Sequence, residues 1–389
     1  MNKKLAFNNL MSKNFKSNLL KYITIIFFLG SIFIVPIITL SSPDKKISEI
    51  ENKILTQFPE FSLSSIKSKR FMKNFDNYTS DQFPFRTDFI KLKNMYSYTI
   101  GNREFRDIYI GKNGRLMEKF IFNKDIIDKN IFKVSNMSRY LHDNYNIKSK
   151  LMIIPTSIAF YEDLLPSWSY NDSQKTTLNY IEENINSNLD KLSFYTPYDV
   201  LSKNKDKYIY FNTDHHWTQL GSKIAYDNMY NNLDNELYDD YDKVADNFYG
   251  TYYSKVILPK IKGDSIYSYK NYNNFKMTMD FSETFNTLYD ESKLNGKNKY
   301  QYFLHGDPGF SVIEGNSSKP NEILIFKDSY AHSFIPFLTN DYSRIHVVDP
   351  RYYSLDIDDY LNNNKNIKEV LFINNLQTFN SEEIYKKLK

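Results

Sequence analysis

The feature that most limits what this chain can fold into is the run Leu151-Met152-Ile153-Ile154-Pro155. It is continuously apolar rather than alternating, the pattern of a strand buried on both faces. Comparable runs occur at Glu322–Phe326, Arg344–Val348 and Glu369–Ile373, separated by helical or loop segments. Buried strands alternating with helices predict an α/β fold built on a doubly wound parallel sheet. With 389 residues, the chain can hold one large domain with an elaboration, or two domains. The main domain is expected over 106–389, opening at Ile108-Tyr109-Ile110, where Lys112-Asn113-Gly114 has the composition of a hairpin turn. From about 244 to 320 the strand–helix rhythm fails. Short alternating runs, Phe275–Met279 and Tyr300–Leu304, sit among Gly, Asn and Asp, which predicts a β- and loop-rich insertion forming one wall of a site.

The N-terminus bears on the compartment. Lys3, Lys4, Lys13, Lys16 and Lys21 precede an uncharged stretch from Tyr22 to Pro43 whose core is Ile23–Leu40. About 18 residues at ~1.5 Å each reach ~27 Å, close to the hydrocarbon thickness of a bilayer. Pro36 inside the run is tolerated in a membrane helix. Lysines before the span and no acidic residue until Asp44 predict a cytoplasmic tail (1–21), a single-pass signal anchor (22–40) and an extracellular remainder, at the cell membrane. The alternative is a cleaved signal peptide, with Thr39 and Ser41 as small residues near a cut; the long run and the lack of an A-x-A site favour the anchor.

Removing those five lysines from the 50 basic residues leaves 45 against 46 acidic ones beyond residue 43, a net charge of −1. That balance argues against a nucleic-acid partner. The chain has no cysteine, which excludes disulfides, thiolate nucleophiles and zinc–thiolate sites. Its 33 tyrosines accompany abundant Lys, Asn and Ile, as an AT-rich coding bias would produce, so they need not signify carbohydrate stacking. Residues 41–105 read as a membrane-proximal helical lead-in: Phe71, Phe75 and Tyr78, then Phe89, Leu92, Met95 and Tyr96, recur at helical spacing. These side chains are expected to pack, with Arg86 paired to an acid.

Chemistry concentrates in two stretches. Asp214-His215-His216-Trp217 precedes Leu220, Ile224, Ala225 and Leu233 at helical spacing, with Thr213 and Asp214 as N-cap types. An Asp two residues before a His can orient that imidazole as a general base. The second stretch is Ile323-Leu324-Ile325-Phe326 followed by Lys327-Asp328-Ser329-Tyr330. A serine in a tight strand-to-helix turn stands at the sheet's carboxyl edge, where backbone N–H groups, that of Ser329 first among them, can hold an oxyanion. This is the logic of a nucleophile elbow without its Gly-x-Ser-x-Gly form. Taken alone, such a serine is more often an N-cap.

Together, Asp214–Trp217, Lys327–Tyr330 and Val348-Asp349-Pro350-Arg351-Tyr352-Tyr353 resemble the DHHW family, and more distantly the SGNH-like alginate O-acetyltransferases. Asp81–Arg86 and Gly111–Leu116 fit as well, so the likeness covers most of the chain beyond the apolar run. The resemblance implies an SGNH-hydrolase-like fold and a triad of Ser329 as nucleophile, His216 as base and Asp214 orienting it. It implies acetyl transfer to a cell-surface or secreted polysaccharide, with a membrane-bound O-acyltransferase as donor partner and neither cofactor nor metal. Lys327 stands where the alginate enzymes have Gly, and Ser157 where they tend to carry Lys. Arg351 and Tyr353, past the Arg344–Val348 strand, are candidates to line the cleft or bind the oxyanion, with a surface ion pair as the alternative for Arg351. His305 is a candidate substrate contact, with a turn role as its alternative. His215 is expected to be structural, and His332 to lie near Ser329 yet poorly placed to deprotonate it.

Two further readings of the site remain, an acetyl-esterase using the same three residues and a non-catalytic polysaccharide-binding scaffold. Metal-dependent phosphoesterases also carry Asp-His-His, but their additional Asp/His clusters have no counterpart here.

Overall fold

The computed structural model describes residues 2–186, 191–232, 240–270, 275–318 and 320–387, with backbone only for 2–17, 40 and 186. Two compact units divide the chain, Met1–Tyr96 and Ser97–Lys389.

The first unit opens with helix α1 (Asn2–Ser41), whose segment Asn18–Thr39 is long and apolar enough to cross a membrane. The side chains of Lys3, Lys4, Lys13 and Lys16 lie outside the described ones. A short hairpin, β1 (Ile47–Ser48) with β2 (Lys53–Ile54), leads to α2 (Leu63–Lys67), α3 (Arg70–Asp81) and α4 (Arg86–Thr99), which runs across the division. Phe71, Phe75 and Tyr78 of α3 pack with Phe58 and Phe61. Arg86 grips the buried Glu51 with two bonds, at 2.9 and 3.0 Å. The expected packing fails on α4, where Phe89, Leu92, Met95 and Tyr96 are exposed.

In the second unit β3 (Glu104–Phe105), β4 (Ile108–Ile110) and β5 (Leu116–Glu118) form a small antiparallel sheet. The β4–β5 turn is the one read from Lys112-Asn113-Gly114, with Asn113 and Gly114 at positive φ. Helix α5 (Lys124–Tyr145) follows, and its apolar face of Ile127, Ile131, Val134 and Leu141 is buried.

The main sheet contains β6 (Lys148–Ile154) and β7 (Leu192–Tyr195) before the site-bearing segments, with α6 (Gln174–Asn186) and α7 (Tyr198–Lys203) between and after them. Helix α8 (Gln219–Tyr230), the hairpin β8 (Tyr241–Phe248) and β9 (Asp264–Tyr269), and α9 (Thr251–Val256) come next. The chain continues through β10 (Met277–Met279), β11 (Glu283–Phe285), β12 (Phe310–Glu314), β13 (Glu322–Lys327), α10 (Ile335–Leu338) and β14 (Arg344–Val348). Helix α11 (Ile357–Asn363), β15 (Ile367–Asn375) and α12 (Leu376–Ser381) close it.

The eight strands run in the order β11-β10-β12-β14-β13-β15-β6-β7. From β14 to β7 all neighbours are parallel, and the four apolar runs supply four of those five strands. Each is buried on both faces; β13 has no exposed residue from Glu322 to Lys327. The fold is thus α/β with a mixed, mostly parallel sheet, whose β12, β10 and β11 are added antiparallel. This corrects the reading of 244–320 as a pure insertion, because β10–β12 extend the central sheet. It also corrects Tyr300–Leu304, which is no strand: Lys299–Tyr302 is a 3-10 turn. Tyr300, Tyr302, Phe303 and Leu304 are nonetheless all buried, so these apolar side chains pack without forming a strand.

Candidate active site

Ser329 lies one residue beyond the end of β13, after Asp328, and opens a 3-10 turn over Ser329–Ser333. The turn is fixed by Asp328, whose carboxylate caps Tyr330 N at 2.9 Å and accepts from Asn375 N and Nδ2, both at 2.8 Å. Asn375 ends the neighbouring β15, so the carboxyl edges of two adjacent parallel strands are stitched together beneath the serine. Burial raises the Asp328 pKa.

The Asp214–Trp217 segment is a tight loop closed by an isolated bridge between Tyr210 and Trp217. Helix α8 starts only at Gln219, capped by Thr218, two residues later than Trp217, and it ends at Tyr230; Leu233 lies outside the described residues. Thr213 and Asp214 are not helix caps because tertiary partners claim their side chains. Thr213 Oγ1 donates to Asp264 Oδ2 at 2.6 Å, and the backbone N–H groups of Asn212 and Thr213 reach the same carboxylate at 2.9 and 2.8 Å. Tyr208 OH adds a further bond at 2.7 Å, making Asp264 of β9 the anchor of the loop.

Asp214 is buried and its two oxygens are fully engaged. Oδ1 accepts from His216 N at 3.0 Å and from His216 Nδ1 at 2.6 Å, while Oδ2 accepts from Thr251 N at 2.8 Å. Burial alone would raise its pKa, but the adjacent His215 and His216 rings and these donors overcome that and hold the carboxyl well below its usual range. With Nδ1 committed to Asp214, His216 turns Nε2 to Ser329 Oγ at 2.8 Å. Ser329, His216 and Asp214 thereby form one continuous hydrogen-bonded chain.

The two motif loops are also tied directly. Trp217 Nε1 donates to Tyr330 O at 2.9 Å, Tyr330 OH donates to His215 O, and Ser222 Oγ donates to Ser333 O at 2.9 Å. The fully buried Trp217 therefore serves both core and site.

His215 bonds Thr251 Oγ1 through Nδ1 at 2.7 Å. Burial and the neighbouring His216 push its pKa down to about 4, so it is neutral at physiological pH. Asp214, His215 and His216 offer ligand atoms within 4.8 Å of one another, yet a metal there would have to displace the bonds to Thr251, His216 and Ser329. The donor set suits a hydrogen-bonded relay better than a cation.

The remaining candidates have partners of their own. Among the described residues, Arg351 pairs with the fully buried Asp349, at 2.9 and 2.7 Å, rather than with a surface acid. Asp349 also meets the buried Lys327 at 3.3 Å, and Lys327 Nζ lies 2.8 Å from His332 Nε2. Burial, with Lys327 beside it, drives the His332 pKa well below the ordinary histidine value. Tyr353 packs against Phe281 and Phe310, and His305 stacks on Phe285 and bonds Thr287 O at 2.9 Å. Ser157 is buried. Arg351, Tyr353 and His305 are thus engaged elsewhere than in the Ser329–His216–Asp214 chain.

Gly250, Thr251, Asp264 and Tyr300 belong to the site, although their sequence surroundings carry no motif. Gly250 has the sharpest requirement: a Cβ there would come within 2.2 Å of Asp214 Oδ2, and Asp214 is pinned on both oxygens. Gly250→Ala is expected to cost about 1–3 kcal/mol of stability, the range for overpacking, and to displace Asp214. Thermal unfolding should register the loss. Gly296→Ala, whose new Cβ would lie 3.6 Å from Lys293 O, should melt like the parent protein.

The sequence signature described as DHHW protein matches residues 106–348. A search of curated proteins gave no match. Among solved structures, a DHHW family protein from Eubacterium siraeum aligns with TM-score 0.59 and 23% identity over 71% of this chain and 92% of that one. Bacillus cereus PatB1 aligns with TM-score 0.57 and 19% identity, over 72% of this chain and 99% of its own. The O-acetyltransferase domain of Pseudomonas putida AlgJ follows at TM-score 0.44 and 12% identity, over 71% of this chain and 92% of that domain. The likeness to the first two is one of fold.

Proposed function

The chain belongs to the DHHW family, and from that premise we propose that it is a membrane-anchored extracellular serine acyltransferase that O-acetylates a polysaccharide. The observation that carries the reading is the chain of bonds Ser329 Oγ–His216 Nε2 at 2.8 Å and His216 Nδ1–Asp214 Oδ1 at 2.6 Å. Both lengths are within general-base reach.

In the proposed reaction Ser329 Oγ attacks the acetyl carbonyl of a donor as its proton passes to His216 Nε2. Asp214 stabilises the resulting imidazolium through Nδ1–H. Asp328 caps Tyr330 N, while the Ser329 N–H is the first of its 3-10 turn and has no intrahelical acceptor, so it is the donor for the tetrahedral oxyanion. Collapse expels the donor's leaving group, which takes the proton from Nε2 and leaves acetyl-Ser329. A sugar hydroxyl then gives its proton to His216 Nε2 and attacks the ester. The tetrahedral intermediate collapses as Nε2 returns that proton to the departing Ser329 Oγ, releasing the acetylated sugar and free Ser329.

The apolar segment Asn18–Thr39 supports anchoring at the bilayer. The polysaccharide acceptor and a membrane-bound O-acyltransferase as donor partner are proposed from the motif resemblance. The test offers the full-length protein in nanodiscs an activated acetyl ester together with polysaccharide fragments. O-acetylated sugar detected by mass spectrometry supports transfer. Free acetate without acetylated sugar supports the esterase reading, and neither product sinks both.

A further inference from the structure

We propose that Tyr300 is a positioning residue that holds the His216 imidazole in its productive orientation, an inference that rests on the acyl-Ser329 reading above. The Tyr300 ring stacks on His216 with centroids 3.6 Å apart and planes 9° apart. The His215 ring also lies 3.7 Å from the His216 centroid, tilted by 38°. Two rings that close cannot share one face of an imidazole, so His216 is held between His215 and Tyr300.

The opposite end of Tyr300 reaches the nucleophile's own turn. Its hydroxyl lies 3.2 Å from Ser329 O and 3.3 Å from Ser333 Oγ. One side chain therefore spans the base and the serine turn, and it comes from the 3-10 turn Lys299–Tyr302 in the β- and loop-rich segment. The ring is buried and braced by Phe303 and Phe211 at 5.3 and 6.2 Å.

This placement has two chemical consequences. Asp214 fixes the His216 edge at Nδ1 but leaves the ring able to swing about that bond; the Tyr300 face blocks the swing that would carry Nε2 away from Ser329 Oγ. When Nε2 takes the serine proton, the cation forms against the negative face of an aromatic ring, a contact that favours the charged imidazole. Both effects act on the acylation step, and neither requires Tyr300 to touch the acetyl donor.

The test compares Tyr300→Phe with Tyr300→Met in the full-length protein, reading acylation by an activated acetyl ester beside the one-dimensional proton signals of the His216 ring. The expected result is a 10- to 100-fold fall in kcat with little change in KM for Tyr300→Met, and less than a threefold fall for Tyr300→Phe. The His216 ring protons should sit upfield in the parent and in Tyr300→Phe, and move downfield in Tyr300→Met. Equal activity in all three proteins, or a loss in Tyr300→Phe as large as in Tyr300→Met, overturns the inference. Should Tyr300→Met fail to fold, Tyr300→Phe and Tyr300→Trp decide it through the same ring signals, and an unshifted His216 signal in the parent overturns it. A parent protein that never acylates Ser329 defeats the acyltransferase reading instead, and the ring signals still report on the clamp.

Discussion

Asp214→Asn is expected to lower the acylation rate about 10⁴-fold, the scale seen when a Ser–His–Asp site loses its correct imidazole tautomer. Asp214 Oδ1 receives the His216 Nδ1 proton at 2.6 Å, and that bond is what leaves Nε2 unprotonated and facing Ser329. An amide is neutral and can present N–H to Nδ1, which moves the ring proton to Nε2 and removes the base. The carboxyl lies well below its usual pKa, so lowering the pH within the folded range will not mimic the substitution. The substitution is nearly isosteric, so the fold should persist, with a lower melting temperature because the buried carboxylate's bonds to His216 and Thr251 are weakened. His215→Ala should cost less than tenfold, since His215 is neutral, its Nδ1 is spent on Thr251, and the parallel Tyr300 ring still holds the other face of His216. An equal loss from both substitutions at unchanged stability would point to the Asp-His-His group holding a metal.

Ser329→Ala is expected to be more severe, on the order of 10⁶ in kcat, because nucleophile and base act as a unit. For the same reason, combining Ser329→Ala with Asp214→Asn should be no worse than Ser329→Ala alone. Steady-state hydrolysis of an activated acetyl ester measures all three proteins, and multiplicative losses would indicate that the two residues act in separate places. The substitution removes only one hydroxyl, and Asp328 continues to brace the turn through Tyr330 and Asn375. Folding should therefore be preserved.

The parallel half of the sheet was legible because a strand buried on both faces must be apolar at every position, as Leu151–Ile154 and Ile323–Phe326 are. The antiparallel half was legible only in part. β10 falls within the alternating run Phe275–Met279, but its three residues carry no sign that it joins the central sheet, and Phe310–Glu314 of β12 shows no run long enough to separate it from loop. The Asp214–Trp217 and Lys327–Tyr330 stretches could be found because local composition marks them. How they join depends on Trp217 Nε1 meeting Tyr330 O across 113 positions, which no window along the chain can register. Thr213 and Asp214 misled as caps for a related reason: side chains suited to capping a helix suit any buried N–H, and here Asp264 and Thr251 claim them first. For Arg351 the surface ion pair stayed open as an alternative because spacing cannot distinguish its buried partner Asp349 from an exposed one. Gly250 and Tyr300 carry no local mark, since the need for one is steric and for the other is ring placement against His216.

The most direct test of the account is covalent. The full-length protein is mixed with an activated acetyl ester, quenched in acid within one turnover, digested and mapped by mass spectrometry. The account predicts one acetyl group on the peptide containing Ser329, localised to that serine, and strongly reduced acetylation in Asp214→Asn. It predicts no acetyl on that peptide in Ser329→Ala. Acetylation of another residue at the parent rate, or acetate release by folded Ser329→Ala at the parent rate, would contradict the claim that Ser329 is the nucleophile.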